Sequence, residues 1–324
     1  MKTIQLTERP AIDAGDSREK VIALGYFDGV HLGHQQVIRA AVDIARERGL
    51  LAAVMTFYPH PSAVLKPSVG RRDSLTPPPD KERLLAELGV NLLFEVRFTL
   101  ALSRLSPQEF VDAYLINLHA KHIVAGFDYT FGRMALGNME NMSDYSRSMF
   151  DYTIIPRVER FGEKISSTRI RNLIGSGAVD RAALLLGRPY RTTGIVIRGD
   201  QRGRKLGFPT ANIESELCYP MPTDGVYAVR LHVDNQTYAG IGSIGSRPTF
   251  YADRSAGLAV EVHLLDFDGD IYGRHVAVDW YVQLRTQKKF SGESALIDQM
   301  KKDRQQTRQF FAANEHRCPN KTKT

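Results

Sequence analysis

Two histidines three residues apart are the first residues along the chain whose type and spacing could do chemistry. His31 and His34 lie in VIALGYFDGVHLGHQQVI, between an apolar run and a helical pattern. In a turn that leads into a helix, backbone N–H groups and the helix dipole attract an anion. Because residues spaced by three can face one side of a helix, two imidazoles here could hold a phosphate and stabilise the charge that develops when its phosphorus is attacked. Two alternatives stay open: one capping and one surface histidine, or a zinc site with His60 as third ligand.

A second polar cluster, ISSTRIR at residues 165–171, stands at the predicted start of a helix. The hydroxyls of Ser167 and Thr168 could cap that helix or donate to phosphate oxygens. The guanidinium of Arg171 could bind a phosphate through two parallel hydrogen bonds. Taken by themselves, the same residues also fit a capped basic helix.

The second half of the chain has three glycines, Gly199, Gly203 and Gly207, spaced by four residues among basic side chains that include Lys205. The segment lacks the GK[ST] ending of a Walker A loop. A flexible basic loop could nevertheless lie over phosphates, although a surface hairpin would use the same residues.

Three oxygen-bearing side chains follow that loop. Thr210 and Asn212, in FPTAN, offer a hydroxyl and a carbonyl oxygen that suit Mg²⁺, although both residue types are common in turns. Glu261 interrupts the β-prone run AVEVHLLDF. A carboxylate there could take a proton from a substrate hydroxyl, and an outward-facing strand glutamate is the alternative.

The elements that must position these residues change type along the chain. In the first half, apolar runs such as VIALGYF and LLAAVMTF alternate with helical patterns, which is typical of a parallel sheet flanked by helices. HQQVIRAAVDIARERG predicts a helix that ends at Gly49, with Val37 and Ala41 on its apolar face. A ligand would bind beyond the carboxyl ends of such strands.

The pattern changes from about Thr192. Short alternating runs separated by glycine, proline and aspartate turns predict an antiparallel barrel, and ALIDQMKKDRQQTRQFF predicts a terminal helix. The 324 residues are enough for two cores. We place the domain boundary at LGRPYR, which gives domains at 1–187 and 188–324.

Composition limits the class of protein. The chain is 43% hydrophobic and 24% charged, as expected of a soluble globular protein. It has no apolar run near the roughly 20 residues that cross a bilayer, and its first 20 residues are too polar for a secretory signal, so we expect a cytoplasmic protein. Cys218 and Cys318 lie far apart and outside any CxxC spacing, which supports neither a disulfide framework nor a cysteine-ligated zinc site. The net charge of +7 fits nucleic acid or polyphosphate nucleotides equally well.

Taken together, the motifs resemble the prokaryotic bifunctional riboflavin kinase/FAD synthetases. GYFDGVHLGHQ resembles the HxGH signature of the nucleotidyltransferase superfamily, and TFYPHP, GFDYTFG and ISSTRIR follow in the order of that family. LLGRPY and GIVIRGDQRGRKLGFPTANI resemble the family's kinase half. The resemblance runs from about residue 20 to about residue 310. It implies an α/β protein with an N-terminal Rossmann-like nucleotidyltransferase domain and a C-terminal antiparallel β-barrel kinase domain with a terminal helix.

The resemblance implies two reactions that use ATP as co-substrate and Mg²⁺ as cofactor. In the C-terminal half riboflavin would be phosphorylated to FMN, and in the N-terminal half FMN would be adenylylated to FAD with release of pyrophosphate. The partners would be small molecules, with no nucleic acid and no membrane, and weak self-association is left open.

Residue roles also follow from the resemblance. His31, His34 and Arg171 would be catalytic in the first half, and Glu261 would be the base in the second. The residues expected to bind ATP, flavin or Mg²⁺ are Gly25, Phe27, Gly29, Asp128, Ser167, Thr168, Gly199, Gly203, Lys205, Gly207, Thr210, Asn212 and Arg285. Among them, Thr210 and Asn212 would be the Mg²⁺ ligands.

Two positions depart from the family pattern. Gln287 stands where the family usually has Glu, and GRMALGN at 132–138 has fewer basic residues than the usual loop. The second departure puts the adenylyl-transfer rate or flavin preference in doubt. A single-activity enzyme with one degenerate half is therefore a competing hypothesis. A nucleic-acid-binding regulator is another, disfavoured because the sequence has no RNP-like aromatic strand or zinc knuckle.

Overall fold

The computed structural model describes residues 1–7, 10, 16–65, 73–199, 207–215, 217–246 and 258–314. The contacts within the chain divide it into two compact units, residues 1–167 and 168–324. The sequence-based boundary at 187/188 lies later in the chain and stays a prediction. Each unit is described by itself below.

The first unit is built on a six-stranded parallel sheet. Its strands are β1 (Lys2–Leu6), β2 (Lys20–Leu24), β3 (Leu51–Tyr58), β4 (Leu92–Arg97), β5 (Ala120–Gly126) and β8 (Asp151–Ile155). They are ordered β1-β4-β3-β2-β5-β8. Two small antiparallel pairs add β6 (Thr130–Phe131) with β7 (Gly137–Asn138), and β9 (Glu159–Arg160) with β10 (Glu163–Lys164).

Helices connect the strands of this sheet. They are α1 (Leu32–Arg48), α2 (Pro61–Leu65), α3 (Pro78–Glu87), α4 (Leu100–Ser103), α5 (Pro107–Val111) and α6 (Met142–Ser146). A π-helical turn covers Asp112–Ile116 and a 3₁₀ turn covers Arg133–Ala135. The helix α7 (Ser167–Gly175) begins with the last residue of the first unit, and α8 (Val179–Leu186) follows in the second.

Both faces of the parallel sheet are covered, which explains its continuous apolar strands. Successive residues of β2 enter different cores, with Ile22 and Leu24 in one cluster and Val21 and Ala23 in the other. The predicted helix after β2 is confirmed as α1, with Val37, Ala41 and Ala45 buried among others. It ends as expected at Gly49, whose left-handed backbone lets its N–H bond the carbonyls of the last turn.

The predicted strand VIALGYF is wrong at its end. β2 stops at Leu24, and GYF opens the turn into α1. Phe27, Gly29 and Val30 all have positive φ, at 52°, 88° and 38°. A left-handed backbone at three of four successive positions cannot continue a strand, so the segment reverses direction instead.

The second unit is the predicted antiparallel barrel. Its strands are β11 (Tyr190–Ile197), β12 (Ala211–Glu214), β13 (Gly225–Val233), β14 (Gln236–Ser246), β15 (Leu258–Leu264) and β16 (His275–Thr286), followed by the terminal helix α9 (Glu293–Ala313). The barrel closes in the order β11-β12-β15-β14-β13-β16. Trp280 lies fully buried in it, and its indole N–H donates to the hydroxyl of Thr192 at 3.1 Å. The helix α8 packs against β11 and β16.

Candidate active sites

The turn between β2 and α1 is closely packed around its glycines. A Cβ atom added at Gly25 would lie 2.8 Å from the ring of Phe27, so only glycine leaves room for that ring. Phe27 is itself buried. The Gly29 N–H donates to the hydroxyl of Thr76 at 2.8 Å, which anchors the second glycine of the turn. These two glycines therefore shape the turn that leads to the histidines.

His31 and His34 stack on each other at the start of α1. Their ring centroids are 3.5 Å apart and their planes differ by 17°. His31 is the N-cap of the helix, and its Nδ1 accepts from the backbone N–H of His34 at 3.2 Å. Because Nδ1 is an acceptor, the neutral His31 ring carries its proton on Nε2, which can donate to an anion. Part of the capping alternative is thus correct for His31, while His34 is half-buried against Phe27 rather than a plain surface residue.

Asp28 ties the turn to two other segments. Its carboxylate accepts from the Ser74 hydroxyl at 2.7 Å and from the Thr76 N–H at 3.2 Å. Its backbone carbonyl accepts from the Ser167 hydroxyl at 2.8 Å. Ser167, the last residue of the first unit and a predicted phosphate-binding residue, therefore also contacts the histidine turn.

Thr168 and Arg171 lie one and four residues further along α7. Thr168 is exposed and Arg171 is half-buried, and both belong to the second unit. The buried face of this helix is formed instead by Ile170 and Ile174. Whether Thr168 and Arg171 contact the same phosphates as the histidines remains a prediction.

Asp128 lies in the turn between β5 and β6, at the carboxyl end of a strand as parallel-sheet geometry leads one to expect. Its carboxylate pairs with the ammonium of Lys164, which also lies 4.8 Å from the centre of the Phe127 ring. In the GRMALGN loop that follows, Met134 is 86% exposed and has a positive φ. The loop thus presents an apolar side chain to solvent.

His60 packs edge-on against the Tyr26 ring, with centroids 4.3 Å apart, and its Nδ1 lies 2.7 Å from the Ser62 hydroxyl. Among the residues that the structure describes, no three histidine, cysteine, aspartate or glutamate side chains are grouped to hold a metal ion. The zinc alternative gains no support from that part of the chain.

Two of the predicted kinase residues are direct neighbours in the barrel. Asn212 on β12 pairs with Glu261 on β15, and Glu261 pairs with Ser243 on β14. Partners in an antiparallel sheet project from the same face, with Cβ atoms about 5 Å apart. Asn212 is buried and Glu261 is half-buried, and the Glu261 carboxylate forms no hydrogen bond or ion pair with the described residues. The cross-strand row of Asn212, Glu261 and Ser243, called the Asn212–Glu261 row below, therefore offers a carboxylate that is available to a ligand.

A hydrogen bond from a neighbouring strand holds the turn before β12. His263 Nδ1 donates to the carbonyl of Pro209 at 2.9 Å, directly before the half-buried Thr210. Burial lowers the pKa of His263 below its ordinary value, which favours the neutral ring that makes this bond. Gly207 enters the turn with a φ of 80°.

Gly199 shows why one end of the glycine-rich loop lacks a side chain. A Cβ atom there would lie 2.3 Å from the Asn212 amide nitrogen. The predicted phosphate-loop residues Gly203 and Lys205 lie outside the described residues.

Arg285 has a partner within the fold. Its guanidinium forms a bidentate salt bridge with Asp303 of α9, at 2.8 Å for the shortest contact, and both side chains are buried or nearly so. Gln287 donates to the Ser243 hydroxyl at 3.2 Å and to the Ile244 carbonyl at 3.0 Å. The glutamine that departs from the family pattern thus contacts the residue opposite Glu261.

Sequence reasoning missed the residues that support the first site from a distance. Thr76, Ser74 and Lys81 all contact the histidine turn, and each is more than 40 positions away from its partner. Local pattern contains no signal for such contacts. The buried Lys81, on a helix face shared with Leu84 and Leu85, is the one position where an unusual residue type could have drawn attention.

A cavity of about 690 Å³ lies elsewhere on the barrel and includes none of the predicted kinase residues. It is lined by Arg191 and His232, which both contact the buried carboxylate of Asp279. Burial would raise the pKa of Asp279, but hydrogen bonds from Arg191 and His232 outweigh it and hold that pKa below its ordinary value. The negative charge of Asp279 is therefore compensated by Arg191 and His232 of the same cluster.

Comparison with known proteins assigns a family to each part of the chain. The family model for FAD synthetase matches residues 13–169, and the model for riboflavin kinase matches residues 186–311. A bifunctional riboflavin kinase/FMN adenylyltransferase of Listeria monocytogenes is 48% identical, over 96% of this chain and 99% of the relative. The enzyme of the same name from Bacillus subtilis is 43% identical with the same coverage.

A crystal structure described as a macrolide-efflux protein from Streptococcus pneumoniae superposes with a TM-score of 0.87 at 39% identity, over 94% of this chain and 99% of that one. No helix in the described part of this chain is long and apolar enough to cross a membrane. The likeness therefore supports the shared fold of the two chains.

A parallel α/β unit with stacked histidines at a strand–helix turn, followed by a closed barrel, defines a two-part transferase that uses nucleotides. The chain belongs to the family of bifunctional riboflavin kinase/FMN adenylyltransferases. Its N-terminal part has FMN adenylyltransferase activity, and its C-terminal part has riboflavin kinase activity.

Proposed function

We propose that each reaction has its own active site, with FMN adenylylation at the histidine turn and riboflavin phosphorylation at the Asn212–Glu261 row. One observation supports this proposal: His31 and His34 stack on each other at the start of α1 in the first unit, whereas Asn212 and Glu261 are register partners in the barrel of the second unit. The ATP bound for each reaction would be a different molecule.

In the first reaction, a phosphate oxygen of FMN attacks the α-phosphorus of ATP. The new P–O bond joins the two nucleotides, and the bond from the α-phosphorus to the bridging oxygen breaks to release pyrophosphate. The attacking phosphate is already an anion, so the step needs no general base. Catalysis rests on positioning and on hydrogen bonds to the developing charge from His31 and His34, with Arg171 as a further cation.

Capping gives His31 its orientation in this mechanism. Its Nδ1 is engaged by the His34 backbone N–H, and the stacked His34 ring limits its rotation. The donor on His31 Nε2 is thereby held in one direction before any ligand binds. Such preorganisation avoids the cost of orienting the donor during reaction.

In the second reaction, the terminal ribityl hydroxyl of riboflavin attacks the γ-phosphorus of ATP. Glu261 takes the hydroxyl proton, the oxygen forms the new P–O bond, and ADP leaves. A neutral hydroxyl requires a base, whereas the phosphate in the first reaction does not. This difference explains why a carboxylate appears in the barrel and not among the proposed donors of the first site.

Mg²⁺ fits the residues at the start of β12. Thr210, Asn212 and Glu261 supply only oxygen donors, Asn212 is buried, and Glu261 is its register partner. Such hard oxygens are the ligands that Mg²⁺ prefers. Thr210 and Asn212 would hold the ion, which when bound neutralises charge on the ATP phosphates.

We extend the proposal to organisation and location. The domains are 1–187 and 188–324, the protein is cytoplasmic, and its partners are small molecules rather than nucleic acid or membrane. Self-association would be weak.

A chromatographic time course tests the proposed function. Purified protein receives riboflavin, ATP and Mg²⁺ in one reaction, and FMN, ATP and Mg²⁺ in another. We expect riboflavin to pass through FMN to FAD, and FMN alone to yield FAD. Accumulation of FMN with no FAD from either start would support the single-activity alternative, and absence of both products would contradict the proposal.

A further inference from the structure

A buried lysine lies directly beneath the histidine turn. Lys81, in α3, donates from Nζ to the carbonyl of Tyr26 at 2.9 Å and to the hydroxyl of Thr56 at 3.2 Å. The Thr56 hydroxyl donates to the same carbonyl at 2.8 Å. Nζ also lies 4.6 Å from the centre of the Tyr26 ring, within range of a cation–π interaction. Three of these four contacts are made to Tyr26, the residue that precedes the left-handed segment of the turn.

Burial makes this position energetically unfavourable for the charged ammonium of Lys81. Lys81 is 6% exposed, and lysine is rarely buried to that extent without a partner. The nearby carboxylates are Asp28, in the turn, and Glu95, which pairs with Thr56 across β3 and β4. His60 packs on the Tyr26 ring, and Asp80 precedes Lys81 in α3. Burial lowers the pKa of Lys81 to about 8, although Asp28 and Glu95 act in the opposite direction.

We propose that Lys81 is a positioning residue for FMN adenylylation, and that its ammonium form holds the Tyr26 carbonyl so that the turn presents His31 and His34 correctly. This inference rests on the proposed placement of that reaction at the histidine turn. A charged donor bonds a carbonyl about twice as strongly as a neutral one. Loss of the proton from Lys81 weakens that bond and removes the cation–π contact.

A pH dependence specific to one of the two reactions follows. With a pKa of about 8, roughly a tenth of Lys81 stays charged at pH 9. We expect the maximal rate of FMN adenylylation to fall about tenfold between pH 7 and pH 9. Riboflavin kinase activity, measured as FMN plus FAD formed from riboflavin, uses the same ATP and Mg²⁺ in the same tube and should not show this fall.

Loss of the Lys81 proton does not by itself destabilise the folded chain. Between pH 8 and the ordinary lysine pKa near 10.5, the unfolded chain binds the Lys81 proton and the folded chain does not. The unfolded state then carries more protons, so the contribution of Lys81 to stability rises with pH. Adenylylation activity and the Lys81 contribution to stability are expected to move in opposite directions over this range.

The experiment measures both activities of the wild-type chain, Lys81→Met and Lys121→Met from pH 6.5 to 9.5 at saturating substrates. Lys121 is a matched control, since it is an exposed lysine of the same unit that pairs with Glu19. Because a tenfold alkaline fall requires the uncharged form to contribute little, Lys81→Met should lower adenylylation at pH 7 by more than tenfold and should abolish the alkaline fall. Lys121→Met should match the wild type, and far-UV circular dichroism should confirm that each variant is folded.

The outcomes separate this inference from the proposed function. Wild-type protein that makes no FAD from FMN at any pH would contradict the placement of the reaction itself. Wild-type protein that makes FAD with a flat profile from pH 7 to pH 9 would overturn the role of Lys81. A folded Lys81→Met variant that keeps the wild-type profile would overturn it as well, even at a reduced rate.

Discussion

His31 supplies both a helix cap and an imidazole ring, and the two contributions can be separated by substitution. The cap depends on an acceptor at Nδ1 for the His34 N–H, whereas the proposed catalytic donor is the opposite nitrogen. Asparagine is also a good N-cap residue but has no imidazole. A single position can therefore report on stability and on chemistry independently.

We predict that His31→Asn keeps the stability of the first unit and loses FAD formation by about 10²- to 10³-fold, the range for removal of one preorganised donor. His31→Ala should lose the same activity and also about 1 kcal/mol of stability. FMN formation from riboflavin should be unchanged in both variants. The measurements are steady-state rates for each reaction and thermal denaturation. Normal FAD formation by His31→Asn would show that His31 only caps the helix.

At the second site, Glu261→Gln should reduce FMN formation by about 10²- to 10⁴-fold, because the amide cannot take the hydroxyl proton. Conversion of supplied FMN to FAD should continue at the wild-type rate. Glu214→Gln is the control, since Glu214 is an exposed carboxylate at the end of the adjacent strand β12. If Glu261→Gln retained kinase activity, Glu261 would be only an outward-facing strand residue.

Strand register is what brings the kinase residues together at the scale of elements. Asn212 and Glu261 are almost fifty positions apart in the sequence and become partners because β12 pairs with β15. The close approach of Gly199 to the Asn212 side chain adds the end of β11 to the same place. A change in one strand can therefore displace a ligand group on another.

We predict that Gly199→Ala lowers kinase activity by about 10²-fold, because the new methyl group displaces the Asn212 amide from its position. FAD formation from FMN should be unaffected. Gly292→Ala is the control, since a Cβ atom there meets no neighbour within 4 Å. Kinase rates of both variants should be compared over a range of ATP concentrations. Equal activity of the two would mean that the Asn212 position does not matter.

The helix α9 is fixed to the barrel by the Arg285–Asp303 pair. Removing one partner of a buried ion pair leaves the other charge uncompensated, so Asp303→Ala should destabilise the second unit by about 3–5 kcal/mol. The Asp298 side chain is 64% exposed and pairs with Lys301. Asp298→Ala should therefore lower the free energy of unfolding by about 1 kcal/mol or less. Trp280 is the single tryptophan and is buried in the barrel, so its fluorescence during urea unfolding reports this unit alone.

An equal effect of Asp303→Ala and Asp298→Ala on the urea midpoint would contradict this role of the Arg285–Asp303 pair. It would also leave ligand binding as the remaining role for Arg285.

The elements themselves were largely predictable from the sequence, because their signals are local. The apolar runs and the helix end at Gly49 predicted the parallel unit, and the alternation after Thr192 predicted the barrel. The strand that begins within PTAN was missed because β12 has only four residues. The end of β2 was wrong because the left-handed backbone of Phe27 and Val30 has no side-chain signature.

The candidate sites were predictable only in part. The chemistry-bearing residues were found by type and by family resemblance, but their supports were not. Lys81 and His263 act through contacts with Tyr26 and Pro209 that depend on tertiary packing. The ion pair of Arg285 with Asp303 likewise depends on where α9 lies against the barrel.

For the whole molecule, the two family models and the two compact units agree on a division of the chain into two parts, and each part has one of the two activities. The first model ends at residue 169 and the second begins at 186, while the contacts divide the chain at 167/168. The central claim is that each reaction has a site of its own. Variants of the two sites should therefore fail independently and should complement each other in a mixture.

The most direct measurement is a chromatographic assay of His31→Asn and Glu261→Gln, alone and mixed, with riboflavin or FMN as substrate. We predict that His31→Asn converts riboflavin to FMN and stops there. Glu261→Gln should leave riboflavin unchanged and convert FMN to FAD. The mixture should carry riboflavin through to FAD. Failure of both folded variants in both reactions would contradict the assignment of two separate sites.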